Sequence, residues 1–130
     1  MNRQPAVRGL RFAQVSADAV AQTAHLVRVP AGLRRKRALL AAYHRALRLP
    51  DYFGWNWDAL EECLGDLSWL AEPRRIVVVH ADVPFAPGGH NRPDYLDLLA
   101  DLVADGAPLE AVFPPSCRDE VAQALAAPSD

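Results

Sequence analysis

Cysteine is scarce in this chain: Cys63 and Cys117 are the only two among 130 residues, and they lack the spacing of a disulfide framework or a zinc knuckle. Both are expected as reduced thiols. No run approaches the roughly 18 apolar residues of a membrane span, and the opening MNRQPAVRGLRFAQVS has no apolar stretch of signal-peptide length. The expected location is therefore the cytoplasm, with no membrane partner. Catalytic motifs are missing too, since no serine lies in GxSxG and no glycine-rich loop runs into Lys-Ser or Lys-Thr. The four histidines, His25, His44, His80 and His90, are dispersed. A hydrolase or metal enzyme would need a closed polar pocket, most simply around His80, Asp82, His90 and Asp94, and such pairs arise by chance at a strand end and a loop. The expectation is a non-catalytic protein without cofactor or metal.

The most telling absence is one of sign: between Leu49 and Pro73 there is no Lys or Arg, while Asp51, Asp58, Glu61, Glu62, Asp66 and Glu72 all fall there. The cations Arg28, Arg34, Arg35, Lys36, Arg37, Arg45 and Arg48 crowd the segment just before it. The formal net charge of −2 hides this asymmetry. Cations on one helix without interleaved aromatics are usually a solvated face, so direct nucleic-acid binding is not expected.

The same interval holds the run LPDYFGWNWDALEECLGDL. On a 3.6-residue helix Asp58, Glu61 and Glu62 are i, i+3 and i+4 neighbours and share a face, which Gly65 continues without a side chain. Leu60, Cys63, Leu64 and Leu67 take the opposite, core-facing side. Like charges at i and i+4 oppose the helix by about 0.2–0.5 kcal/mol a pair, and nothing local offsets them. A solvated face explains most such acids, and Asp58 suits a helix N-terminus. Tyr52 and Trp55 just upstream, with the cations elsewhere, favour instead a face that meets a cationic partner.

With 51 % hydrophobic and 23 % charged residues the chain has the composition of one folded domain spanning 1–130. Leu10 to Val15 suggests a short edge strand, and His25 to Val29 alternates as a strand before Pro30, Ala31 and Gly32 turn the chain. Leu33 to Leu47 is patterned as a helix that Pro50 ends. Asn56 is placed to cap the next helix, Trp57 to about Asp66. Arg75 to His80 is a β-branched run fit for the buried centre of a parallel sheet, and Pro84 to Pro93 reads as a long surface loop. Tyr95, Leu98, Leu99, Leu102 and Val103 mark a helix closed by Gly106, Leu109 to Phe113 a brief strand, and Arg118 to Ala126 a final helix. Strands separated by helices point to an α/β fold.

The motif LPDYFGWNWDALEECL, with a strand and helix before it and a β-rich run after it, resembles the barstar family of intracellular ribonuclease inhibitors. Leu49-Pro50, Tyr52-Phe53, Gly54, Asn56, Asp58-Ala59-Leu60 and Cys63-Leu64 carry the likeness. It extends by element order over roughly 25–113, with 1–22 and 115–130 as extensions. The resemblance implies a small three-stranded parallel sheet with helices packed around it. It also implies that the acidic helix and its loop plug the active site of a small secreted microbial ribonuclease, of guanyl type, with carboxylates imitating RNA phosphates.

Carried onto this chain, the resemblance makes Asp58 and Glu62 the charge anchors and Tyr52 the aromatic that packs on the enzyme's catalytic histidine. Trp55 and Asn56 shape the loop, Gly65 prolongs the face, and Asp101 falls near a further acidic contact. Glu62 stands where the archetype has Asp and Glu61 where it has an aromatic, which implies a different choice of nuclease. The expected complex is one to one with a monomeric inhibitor. An immunity or antitoxin protein for another polymorphic toxin would use the same surface.

Overall fold

The computed structural model describes residues 7–126. Four parallel strands, β1 (Arg11–Phe12), β2 (His25–Val29), β3 (Ile76–His80) and β4 (Leu109–Phe113), form one sheet in the order β1-β4-β3-β2. The three-stranded expectation is short by one, because the residues ahead of β2 add β1 in register with Val112 and Phe113. Stacking of Phe12 on Phe113, with centroids 5.9 Å apart, and burial of Leu10 hold this strand down. Parallel pairing of β1 is a tertiary event that local alternation does not reveal.

Helices α2 (Lys36–Leu47), α3 (Trp57–Gly65), α4 (Asn91–Ala104) and α5 (Arg118–Ala126) contribute to the core on one face of the sheet, over Val27, Val29, Ile76, Val78, Leu109, Ala111 and Phe113. The other face is smaller, where Val77, Val79, Val112 and Ala24 meet Ala13, Val15 and Val20 around a short helix α1 (Ala17–Ala21). Steps from β2 to β3 and from β3 to β4 run one way across the sheet, and the step from β1 to β2 runs back. A common right hand places the return crossing on the opposite face.

Boundaries shift for identifiable reasons. α2 begins at Lys36 rather than Leu33, and ends before Pro50 because Arg48 takes a left-handed conformation, φ 53°, that turns the chain. The expected surface loop through Pro93 is shorter, since α4 already starts at Asn91 and Pro93 sits in its first turn, where a missing N–H costs nothing. The buried Arg92 guanidinium donates to the carbonyls of Val83, Pro84 and Phe85, which ties down the loop after β3.

A buried hydrogen-bond chain joins four elements. His80 Nδ1 lies 3.0 Å from the Val112 carbonyl, His80 Nε2 lies 2.7 Å from Tyr95 Oη, and Tyr95 Oη lies 2.6 Å from Tyr43 Oη. The carbonyl only accepts, so Nδ1 carries the proton, Tyr95 O–H donates to Nε2, and Tyr43 O–H donates to Tyr95. All three side chains are buried, and protonating His80 would reverse the chain and leave the Tyr43 hydrogen without an acceptor. Burial drives the imidazole down from its ordinary 6.5 to about 3, against the smaller opposing effect of the Val112 carbonyl.

Between those values the unfolded chain binds a proton that the folded chain refuses, so this contribution to stability is complete above pH 6.5 and lost as pH falls toward 3. The unfolding free energy from urea titrations should decline over that window with a slope of up to about 1.4 kcal/mol per pH unit from this group. His80→Gln, whose amide donates to Val112 and accepts from Tyr95, should be less stable at neutral pH yet decline less steeply. Equal slopes in the two proteins would contradict the assignment.

Candidate functional site: the acidic helix and its loop

The loop before α3 is built by short-range bonds. Phe53 N–H donates to the Pro50 carbonyl at 2.9 Å, turning the chain so that Phe53 is buried while Tyr52 is 78 % exposed. Tyr52 is the one large hydrophobic residue left so open among the described residues. Asn56 Oδ1 accepts from Ala59 N–H at 2.7 Å as the N-cap of α3, and its Nδ2 donates back to the Gly54 carbonyl at 3.3 Å. One side chain thus sets both where the helix starts and how the loop enters it.

Trp55 adopts φ 56°, a left-handed conformation that costs a β-carbon-bearing residue about 1–2 kcal/mol. Packing offsets the strain: the Arg37 guanidinium sits 4.4 Å from its ring centroid, His44 stacks on it at 5.2 Å and 16°, and Phe53 leans on it at 5.3 Å. The expected loop-shaping residue is therefore half-buried against α2. Trp57 fixes the other end, stacking on Tyr95 at 5.8 Å and meeting Phe85 edge-on, with Lys36 over its ring.

α3 buries Leu60, Cys63 and Leu64, and Leu67 follows in a 3-10 turn (Leu67–Trp69), as the spacing predicts. Both cysteines are free and buried. Burial pushes the Cys63 thiol up, and the charge of Glu62 adds to the rise, so it is no thiolate nucleophile. On the outer side Asp58, Glu62 and Gly65 are exposed, while Glu61 is half-buried. No carboxylate of this helix is ion-paired among the described residues. Asp58 is favoured by the helix N-terminus, but Glu62 and Asp66 stand at the C-terminal end, where the helix dipole opposes negative charge.

Two residues of this face were not singled out by sequence. A concavity of about 200 Å³ brings Tyr52 and Glu62 together with Asp66 and Trp69. Trp69 is held by its indole N–H, which donates to the Cys63 carbonyl at 2.9 Å, and Asp66 accepts from Ser68 N–H at 3.1 Å. The interval of four between Glu62 and Asp66 was a legible signal for the acid. The return of Trp69 over the helix end was not, because it depends on the 3-10 turn. His80, Asp82, His90 and Asp94 form no site: His80 is committed in the core, Asp82 accepts from Gly32 N–H, and His90 and Asp94 are exposed.

A family model described as Barstar (barnase inhibitor) matches residues 24–114, a span that holds this loop and helix in the middle of the parallel sheet's crossover. The chain belongs to the barstar family. Members of the barstar family are inhibitors and not enzymes. No curated protein matches the chain in a sequence search.

Against the barstar-family span, β1, α1 and the turn before them lie outside residues 24–114. That added segment reaches Asp101, for Arg8 bridges Asp97 and Asp101 of α4, each at 2.6 Å. The turn that aims it needs Gly9, with φ 83°, because a β-carbon there would stand 2.9 Å from Val103 Cγ1. Asp101 is exposed but already paired within the chain, unlike Asp58 and Glu62. Charge in two distant segments met only through the fold.

Arg37 separates two accounts of the loop. If Arg37 only adds charge to α2, Arg37→Ala leaves the loop as it is. If it clamps Trp55, Arg37→Ala and Trp55→Ala should both loosen residues 51–56 and speed hydrogen exchange at the Phe53 amide by roughly fivefold, equivalent to about 1 kcal/mol. Unchanged protection of that amide in Arg37→Ala would remove the clamp.

Proposed function

We propose that this barstar-family chain is a stoichiometric inhibitor that binds a small microbial ribonuclease of guanyl type one to one, as a monomer, and closes its active site with α3 and the loop before it. It acts in the cytoplasm of the cell that makes the nuclease. The observation that carries this reading is the concavity that gathers Glu62 and Asp66 with the open ring of Tyr52, one helical turn from Asp58, within the span matched by the family model; among the described residues none of the three carboxylates is ion-paired. Such a face repeats the chemistry of an RNA strand, negative oxygens beside a stacking surface.

A unit ion pair at 4 Å contributes about 1 kcal/mol in water and about 4 at an effective dielectric of 20, so occlusion in a basic cleft strengthens each contact. Glu62 reaches into the centre of that cleft, Asp58 pairs at its rim, and Tyr52 packs on the catalytic histidine. The half-buried Glu61, where the archetype carries an aromatic, adds charge in place of stacking area and selects among nucleases. Trp55 and Asn56 hold the loop, and Gly65 leaves the backbone open to close approach. The same departure supports a second reading, immunity against a toxin that is not a ribonuclease.

Titration against a panel of small microbial ribonucleases, with RNA cleavage as the readout, tests the proposal; absence of inhibition across the panel would overturn it in favour of the second reading. Glu62→Lys should weaken the complex by at least about 2 kcal/mol. The same change should leave the fold intact or stabilise it by about 0.3–1 kcal/mol, since a cation suits the helix C-terminus. Association should slow as the Debye length shrinks from about 10 Å at 0.1 M salt to 3 Å at 1 M. A salt-independent association rate would remove electrostatic steering.

A further inference from the structure

The sheet edge opposite β1 is open. β2 pairs with β3 alone, and its odd-numbered residues make the ladder: His25 N–H donates to the Arg75 carbonyl at 2.8 Å, and Ala81 N–H donates to the Val29 carbonyl at 2.9 Å. The N–H and C=O groups of Leu26 and Arg28 therefore point away from the sheet, and among the described residues no backbone or side-chain group bonds them. Native sheets normally cover or blunt an edge of this length.

Along this edge runs a groove of about 820 Å³. One wall is a flank of α2 made of Ala38, Ala41, Ala42 and Ala46, turned well away from the side that buries Leu39, Leu40, Tyr43 and Leu47. Methyl groups make that wall smooth and set it back from the strand, which leaves room for another backbone. The charged lining is Arg28 and Arg45, with no carboxylate, and neither cation is ion-paired among the described residues. No residue of the loop before α3, or of α3 itself, lines it.

We propose that this groove is a strand-addition site for an extended, acidic segment of a partner protein. The segment pairs with the outward N–H and C=O groups of Leu26 and Arg28, sets small apolar side chains against the alanines of α2, and places carboxylates on Arg28 and Arg45. Main-chain bonds supply affinity in this mode of recognition, and the alternating side chains supply selectivity. A second copy of this chain fits poorly, because two-fold pairing of β2 with itself would bring both copies of Arg28 and Arg45 together, beside two α2 helices that hold no acid.

The test titrates the isotope-labelled full chain with a short peptide of alternating valine and glutamate and with its valine–lysine counterpart. The acidic peptide should shift the amides of Leu26 and Arg28 and slow their hydrogen exchange, and the basic one should not bind. Leu26→Pro removes an outward donor but no ladder bond, and should abolish binding. The double change Arg28→Glu with Arg45→Glu keeps the backbone and should weaken it roughly tenfold. Circular dichroism establishes that both variants fold. Silence of the two amides toward the acidic peptide would overturn the proposal. So would equal binding of both peptides, or concentration-dependent protection of those amides with dimerisation in the absence of peptide.

Discussion

The hydrogen-bond chain from Tyr43 through Tyr95 and His80 to the Val112 carbonyl is the constraint on which the rest of the molecule depends. It links α2, α4, β3 and β4 in one direction of donation, with every member buried. A fully satisfied polar chain in an apolar interior tolerates little displacement, because any break strands a donor or acceptor away from water. Tyr95 is also the platform on which Trp57 stacks. The start of α3, and with it the bearing of the acidic face, is thereby indexed to the core.

Charge separation is the second organising feature. α2 carries cations without acids and α3 carries acids without cations; Lys36 lies over Trp57 of α3, Arg37 and His44 cover Trp55 of the loop before it, and among the described residues no ion pair joins the two helices. Pairing the helices through carboxylates would have consumed the charge that the face presents. Aromatic rings accept Lys36 and Arg37, and Asp58, Glu62 and Asp66 are left without an ion pair among the described residues. The left-handed backbone at Trp55 is the conformational cost of that arrangement.

Much of this was legible in local pattern. Asn56 was identifiable as a cap, Leu60, Cys63 and Leu64 as the buried stripe, Ile76–His80 as an interior strand, and Asp58 and Glu62 as outward acids. The misses share one cause. The edge strand within Leu10 to Val15 was legible but its partner was not: β1 pairs with a strand about a hundred residues later along the chain, Arg8 finds Asp97 and Asp101 across a similar distance, and Trp69 folds back through a turn with no periodicity of its own. None of these contacts leaves a repeat within a helix or strand window.

Sequence by itself determined the types of the main elements, though not of the five-residue α1, the division of α3 into acid and aliphatic faces, and the kinship that the LPDYFGWNWDALEECL motif signals, because periodicity, capping and side-chain chemistry act over a few residues. Tertiary structure alone decided which charges stay unpaired. Asp101 is matched by Arg8, Trp55 is claimed by α2, and β2 rather than β1 keeps the longer open edge. Those outcomes depend on distances between segments remote in the chain, and Coulomb attraction and strand pairing respond to proximity in space, whatever the separation in sequence.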